Sequence, residues 1–276
     1  MTKSKDDYDN VVIKSLRIRP KSKKYVIETN YEADEEFTLD EDTIIKFGIF
    51  KGKEFTLSEF KKILKEIKIQ KLFNKTLNYL SYSAHSKHEI YAYMDKYNQK
   101  GEYTQKDLMG IVARLKDLGY VDDEAYAKGI VNYYRDTKGK TYIINFLKNK
   151  LVDNEIIDSV IGVYDDEEEV AYKIIDKIHY QYRKYPIGKQ EILIKQKLLR
   201  DGFSLISINH AIAKIELIDE SDDTLDKDSL KQIKKYENKD ISLYEKKQKI
   251  LASLMNKGYS YSKINDKLKE YLWKRN

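Results

Sequence analysis

Along the first forty residues hydrophobic side chains recur with a short period. Residues 11–19, VVIKSLRIR, and 25–31, YVIETNY, gather β-branched and aromatic side chains on either side of the polar stretch Pro20-Lys21-Ser22-Lys23, a pattern that predicts a β-hairpin. Glu36 to Leu39 offers a third short strand. After Thr56 the period lengthens. Phe60, Ile63, Leu64 and Ile67 are spaced three and four apart, the stripe of an amphipathic helix, with Thr56 or Ser58 placed to accept from its first backbone N–H groups. From about residue 71 one helical stripe follows another. A small mixed domain therefore leads a long all-α region.

The helical region repeats itself. Four times an aromatic or aliphatic residue stands directly before a helix-capping candidate, at Tyr103-Thr104, Val152-Asp153, Phe203-Ser204 and Tyr259-Ser260, with spacings of 49, 51 and 56 residues. Five, nine and twelve positions on come Leu108, Val112 and Leu115; Ile157, Ile161 and Tyr164; Ile208, Ile212 and Ile215; and Ile264, Leu268 and Tyr271. These offsets share one helical face, and the residue ahead of the cap can fold back on the first turn as a hydrophobic staple. A helix precedes each start. Gly101, Gly202 and Gly258 suit its left-handed terminus, whereas Leu151 in the second unit predicts a different ending. Aliphatic pairs Ile143 and Leu147, Ile194 and Leu198, and Ile250 and Leu254 recur before the last three starts. Room for a first helix at 72–81, 123–137, 166–184 and 226–239 completes three helices per unit.

The expected division is a β-hairpin/α domain at 1–70 and three-helix repeats at 71–121, 122–164, 165–218 and 224–276. The fold class is mainly α: tandem three-helix repeats forming an elongated curved body, with a small β-containing N-terminal domain.

Composition narrows the function classes. With no cysteine there is no disulfide framework and no thiol nucleophile, and four histidines, at 85, 88, 179 and 210, supply metal chemistry poorly. His85 and His88 lie three apart beside Glu89 without further ligand types in company. No glycine-rich phosphate loop, Walker lysine or serine elbow occurs, so neither catalysis nor a cofactor is expected. No apolar run reaches about 18 residues, and Met1 to Asn10 is polar. A cytoplasmic protein without a membrane partner is the expectation.

The net charge of +6 is too mild to name a partner, but its placement is uneven. Residues 244–276 hold nine basic against three acidic side chains, and residues 165–243 are net negative. The basic candidates for contact with phosphate or an acidic protein face are Lys246, Lys247, Lys249, Lys263, Lys267, Lys269, Lys274 and Arg275. A second acid-free run adds Lys14, Arg17, Arg19, Lys21, Lys23 and Lys24. Solvated helix faces and a charged hairpin account for both runs equally well. Asp122 and Asp123, and the run Asp165 to Glu169, are expected to cap the helices that follow them. Tyr93, Tyr126, Tyr142, Tyr164 and Tyr271 fall on helical stripes, expected as core with the hydroxyl at the surface; Trp273 is an anchor or packing residue.

Three blocks carry a family resemblance. They are Leu80-Ser81 with His85-Ser86-Lys87-His88-Glu89-Ile90; Leu115-Lys116-Asp117-Leu118-Gly119-Tyr120-Val121-Asp122-Asp123-Glu124-Ala125-Tyr126-Ala127; and Lys138-Gly139-Lys140 through Leu147, Lys150 and Val152. In these the chain resembles the RecX regulatory proteins, modulators of the RecA recombinase, and the likeness covers its whole length. Ser86, Glu89, Leu115, Gly119, Tyr120, Asp122, Asp123, Tyr126 and Ala127 match the family pattern, mostly in structural roles. Ser83 and His85 stand where family members usually carry arginines, and Leu151 where the second unit usually has glycine. The resemblance implies a protein of recombination, repair and the SOS response. It would lie in the groove of the RecA filament and inhibit strand exchange and ATP hydrolysis or promote disassembly, as a monomer with at most weak DNA contact. The alternative reading is a DNA-binding protein of helical modules that acts without RecA; a scaffold for another protein is a third.

Overall fold

The computed structural model describes residues 10–31 and 36–273, with side chains up to residue 271. It divides into two compact units, residues 1–123 and 124–276.

In the first unit β1 (Asn10–Arg19) pairs antiparallel with β2 (Lys24–Thr29), and β2 with β3 (Glu36–Leu39). β4 (Glu54–Thr56) lies on the other edge of β1, giving the order β3-β2-β1-β4. The hairpin and the third strand form as their patterning predicts. β4 and α1 (Glu41–Phe47) have no counterpart in the sequence reading; both are too short to establish a period. α2 (Leu57–Leu80) packs Phe60, Ile63 and Ile67 against Val11, Ile13, Ile27 and Phe37 of the sheet. Its cap is Thr56, not Ser58: the Thr56 hydroxyl accepts from the Glu59 N–H while the Glu59 carboxylate accepts from the Thr56 N–H.

α2 corrects the expected helix over 72–81, which is no separate element but the second half of this 24-residue helix. At 1.5 Å per residue α2 is about 36 Å long, enough to serve two cores. Ile67 belongs to the sheet-facing core. Leu72 and Phe73 open a second one with Ile90 and Met94 of α3 (Lys87–Asp95) and Leu108, Val112 and Leu115 of α4 (Gln105–Asp117). Gly101 is a further correction: α3 stops at Asp95, and Gly101, at φ 65°, sits in the turns that follow rather than at the helix end.

The second unit is helical throughout its described residues apart from connections. α5 (Asp123–Tyr134), α6 (Lys140–Asn149) and α7 (Asn154–Ile161) are followed by α8 (Glu167–Ile178), α9 (Ile187–Arg200) and α10 (Leu205–Ala213). α11 (Asp222–Glu237), α12 (Leu243–Met255) and α13 (Tyr261–Trp273) close the chain. The staple residues Val152, Phe203 and Tyr259 are buried, and so are Ile157, Ile208 and Ile264 five positions on, as a core-facing stripe requires. α5 to α10 share one core running from Tyr126 to Ile212, while α11 to α13 build a separate one around Leu225, Ile250, Leu254 and Leu268.

Leu151 overturns the expected difference in helix ending. It adopts φ 52°, the left-handed conformation that Gly202 and Gly258 take at φ 84° and 94°. The same bond closes all three turns: Val152 donates to the Leu147 carbonyl at 3.2 Å, Phe203 to Leu198 at 3.0 Å, and Tyr259 to Leu254 at 3.4 Å. A side chain in this region costs about 1–2 kcal/mol, and Leu151 is 62% exposed, so it has little packing to lose. Leu151→Gly is therefore expected to stabilise the protein by about 0.5–1 kcal/mol, net of glycine's greater freedom when unfolded. A urea midpoint that stays put or falls would show that the leucine is held there by packing.

Candidate functional site

Within the second unit the repeats dock through their second helices. The C-terminal turn of α9 lies against the N-terminus of α6, where Gly139 N–H donates to the Asp201 carbonyl at 2.9 Å and Thr141 N–H to the Gly202 carbonyl at 3.1 Å. A Cβ on Gly139 would overlap the Gly202 carbonyl, so the approach is one that only glycine permits. Lys138 Nζ reaches Asp201 at 2.6 Å and Lys197 Nζ reaches its other oxygen at 3.3 Å. Burial raises the Asp201 carboxyl, and hydrogen bonds from the two lysines outweigh it, leaving the group below its ordinary value. The turn of α12 approaches the start of α9 in the same way, Gly258 against Gly188 and Lys189.

The acids open their helices as expected, with Glu167, Glu168 and Glu169 in the first turn of α8, but the side-chain bonds of Glu167 and Asp123 go to other helices. Glu167 is buried. Its Oε1 accepts from the Lys140 N–H at 3.0 Å and its Oε2 from the Ser207 hydroxyl at 3.0 Å, so a residue of α8 caps α6, while Asp166 makes no side-chain cap bond to its own helix. Asp123 Oδ1 likewise accepts from the Lys87 N–H of α3 at 2.8 Å. Tyr164 departs from its expected surface hydroxyl: it donates to the carbonyls of Arg135 and Lys138 at 2.8 and 3.0 Å, and burial pushes its pKa up to about 12. Filled in this way, the α6 N-terminus already has its carbonyl and carboxylate partners.

The remaining family-pattern residues hold local structure. Ser86 and Glu89 form the capping box of α3. Leu115 is fully buried, Gly119 at φ 77° closes α4, and Tyr120 is half-exposed, its N–H donating to the Leu115 carbonyl at 2.9 Å. Asp122 is exposed just ahead of α5, and Tyr126 and Ala127 enter the core. Ser83 and His85 join Tyr79 in a small knot: His85 stacks on Tyr79 at 3.9 Å between ring centroids, and its two nitrogens sit 2.9 Å from the Tyr79 and Ser83 hydroxyls. Among the described residues no group of three or more histidines and carboxylates is placed to hold a metal.

The two basic segments part company. Lys263 pairs with Asp219 and Asp222 at 3.1 Å each, Lys267 with Asp226 at 2.5 Å and with Glu270 at 3.2 Å, and Lys269 with Asp266 at 3.5 Å. Lys246 donates to the Glu237 carbonyl at 2.9 Å. Burial lowers Lys263, yet its two aspartates outweigh that and raise it. Part of the excess charge of residues 244–276, that of Lys263 and Lys267, is thus matched against acids of the preceding segment. Lys247 and Lys249 make no ion pair among the described residues; Lys274 and Arg275 lie outside them. In the hairpin, Arg17 and Arg19 pair with Glu36, and Arg17 also with Glu28, whereas Lys21, Lys23 and Lys24 are exposed. A hollow of about 170 Å³ brings Lys24 beside Lys71 and Asn74 of α2. Neither α2 residue was legible as a candidate, because only the fold places position 24 near position 71.

No family model matches the chain. A regulatory protein RecX from Bacillus licheniformis is 32% identical to it over 243 residues, which span 85% of this chain and 89% of the relative. The chain belongs to the RecX family of regulatory proteins. Another RecX, from Bacillus cereus, is 30% identical over 268 residues, 92% of this chain and 95% of the relative. A crystal structure of a regulatory protein RecX matches 72% of this chain and 97% of its own length with a TM-score of 0.59 at 24% identity, a likeness of fold. These relatives are named as regulatory proteins, not enzymes. Among the described residues no helix is long and apolar enough to cross a membrane.

Proposed function

We propose that this RecX-family chain regulates RecA by binding its nucleoprotein filament in the cytoplasm, and that it inhibits the recombinase in repair and recombination. The observation that carries this reading is the repeated junction between second helices, which joins like three-helix modules in series. A filament also repeats one surface, so several modest contacts by successive modules add through effective concentration. Any preference for filament over free subunit, or the reverse, then shifts assembly without a catalytic residue. Lys247 and Lys249 are the C-terminal cations offered to such a partner; reversing Lys263 or Lys267 would first break ion pairs inside the last repeat.

Titration into RecA-coated single-stranded DNA, with ATP hydrolysis as readout, tests the reading. Hydrolysis is expected to fall at amounts of protein comparable to RecA or below it. An unchanged rate at saturation rejects it. Duplex binding through helical modules is disfavoured by the junctions, because the α6 N-terminus is already filled by Glu167, Asp201 and Gly202.

A further inference from the structure

We propose that the tip of the β1–β2 hairpin and the adjoining outer face of α2 form one binding site for the sugar–phosphate backbone of nucleic acid. This stands apart from the RecA reading and uses none of the helical junctions. β3 accompanies β2 only as far as Tyr25, opposite Leu39, and β4 touches β1 only at Asn10 to Val12. Residues 19–24 therefore form the uncovered end of the hairpin, a turn closed by the Arg19 and Lys24 pair. No acid occurs between Val11 and Ile27. The stem arginines are committed to Glu28 and Glu36, while Lys21, Lys23 and Lys24 have no ion pair among the described residues.

The hollow beside Lys24 extends this charge onto α2. Lys71 and Asn74 line it with Thr38 and Gln70, and its one carboxylate, Asp40, already accepts from the Thr43 N–H at the start of α1. Lys75 follows Lys71 by one turn, about 6 Å along the axis, exposed and resting 4.1 Å from the centroid of the Tyr97 ring. The chemistry favours phosphate over an acidic protein. The free cations are lysines, hydrated point charges suited to phosphate, and the arginines that would grip a carboxylate with two bonds are spent inside the domain. The accompanying groups are amides and hydroxyls, the usual donors to phosphate and sugar oxygens. Ile18, next to the turn in β1, is the exposed apolar side chain beside these lysines, whereas a protein interface centres on buried aromatic or arginine anchors.

The test is fluorescence anisotropy of the full chain, without RecA, on labelled single-stranded DNA, duplex DNA and poly-glutamate across a salt series. Wild type is expected to bind DNA at low salt. Lys21→Ala/Lys23→Ala/Lys24→Ala should weaken binding at least tenfold and flatten the log–log salt slope by about two, since each neutralised phosphate contributes about 0.7–0.9. Lys71→Ala/Lys75→Ala should flatten it by about one and a half. Lys267→Ala, which breaks an internal ion pair, should leave DNA affinity unchanged, and circular dichroism melts confirm that each variant is folded. Absence of wild-type binding to both DNAs at low salt overturns the proposal, as does unchanged affinity in the triple variant. Tighter binding of poly-glutamate than of DNA, lost in the same variant, overturns it in favour of an acidic protein partner.

Discussion

Gly202→Ala is expected to destabilise the unit of residues 124–276 by about 2–5 kcal/mol. Two effects add. An L side chain at φ 84° costs about 1–2 kcal/mol in backbone strain. The new methyl would also overlap the backbone N–H and Cβ of Tyr142, and overpacking of this kind costs typically about 1–3 kcal/mol. The neighbour is the first turn of α6, which cannot swing aside without losing the Thr141 to Gly202 hydrogen bond. Gly119→Ala separates the two contributions, because Gly119 has φ 77° but nothing within 4 Å of where its Cβ would stand. Urea denaturation followed by circular dichroism should show a clearly larger loss at Gly202. Equal losses would mean that close docking of the repeats contributes nothing there.

Phe203→Ala is expected to cost about 3–5 kcal/mol, the range for emptying a buried aromatic site. Phe203 is 2% exposed, and it sits in the core common to α5 to α10. Its counterpart in the first repeat, Tyr103, is only half-buried and donates its hydroxyl to the Lys68 carbonyl at 3.3 Å, so Tyr103→Ala should cost less. A loss below about 1 kcal/mol at Phe203, by the same denaturation measurement, would show that the staple position is not a core anchor.

Period and spacing reach far in this protein. The hairpin, the third strand and the recurring stripe of Phe203, Ile208 and Ile212 all follow from local patterning, because burial of one face demands the same offsets wherever a helix packs the same way. The family resemblance was legible for the same reason: Ser86, Glu89, Leu115 and Gly119 are caps, core and helix ends, whose roles are local. Patterning fails where a residue acts on another element. Glu167 and Asp123 look like caps of their own helices, yet each satisfies a helix that precedes it by tens of residues in sequence. Leu151 looks unable to end a helix as glycine does, but the bond to Leu147 holds it in the left-handed turn.

Charge shows the same limit on the candidate surfaces. Counted along the chain, residues 244–276 carry nine basic against three acidic side chains; folded, Lys263 and Lys267 face Asp219, Asp222 and Asp226. The shorter hairpin run keeps its lysines exposed and gains Lys71 as a neighbour. Strand and helix faces and capping boxes are carried by the order of residues, since each depends on spacings of about twelve or fewer. Which helix an acid caps, where a backbone needs glycine, and which lysines remain for a partner depend on packing between segments distant in sequence, and coulombic and hydrogen-bonding partners are chosen by distance in space.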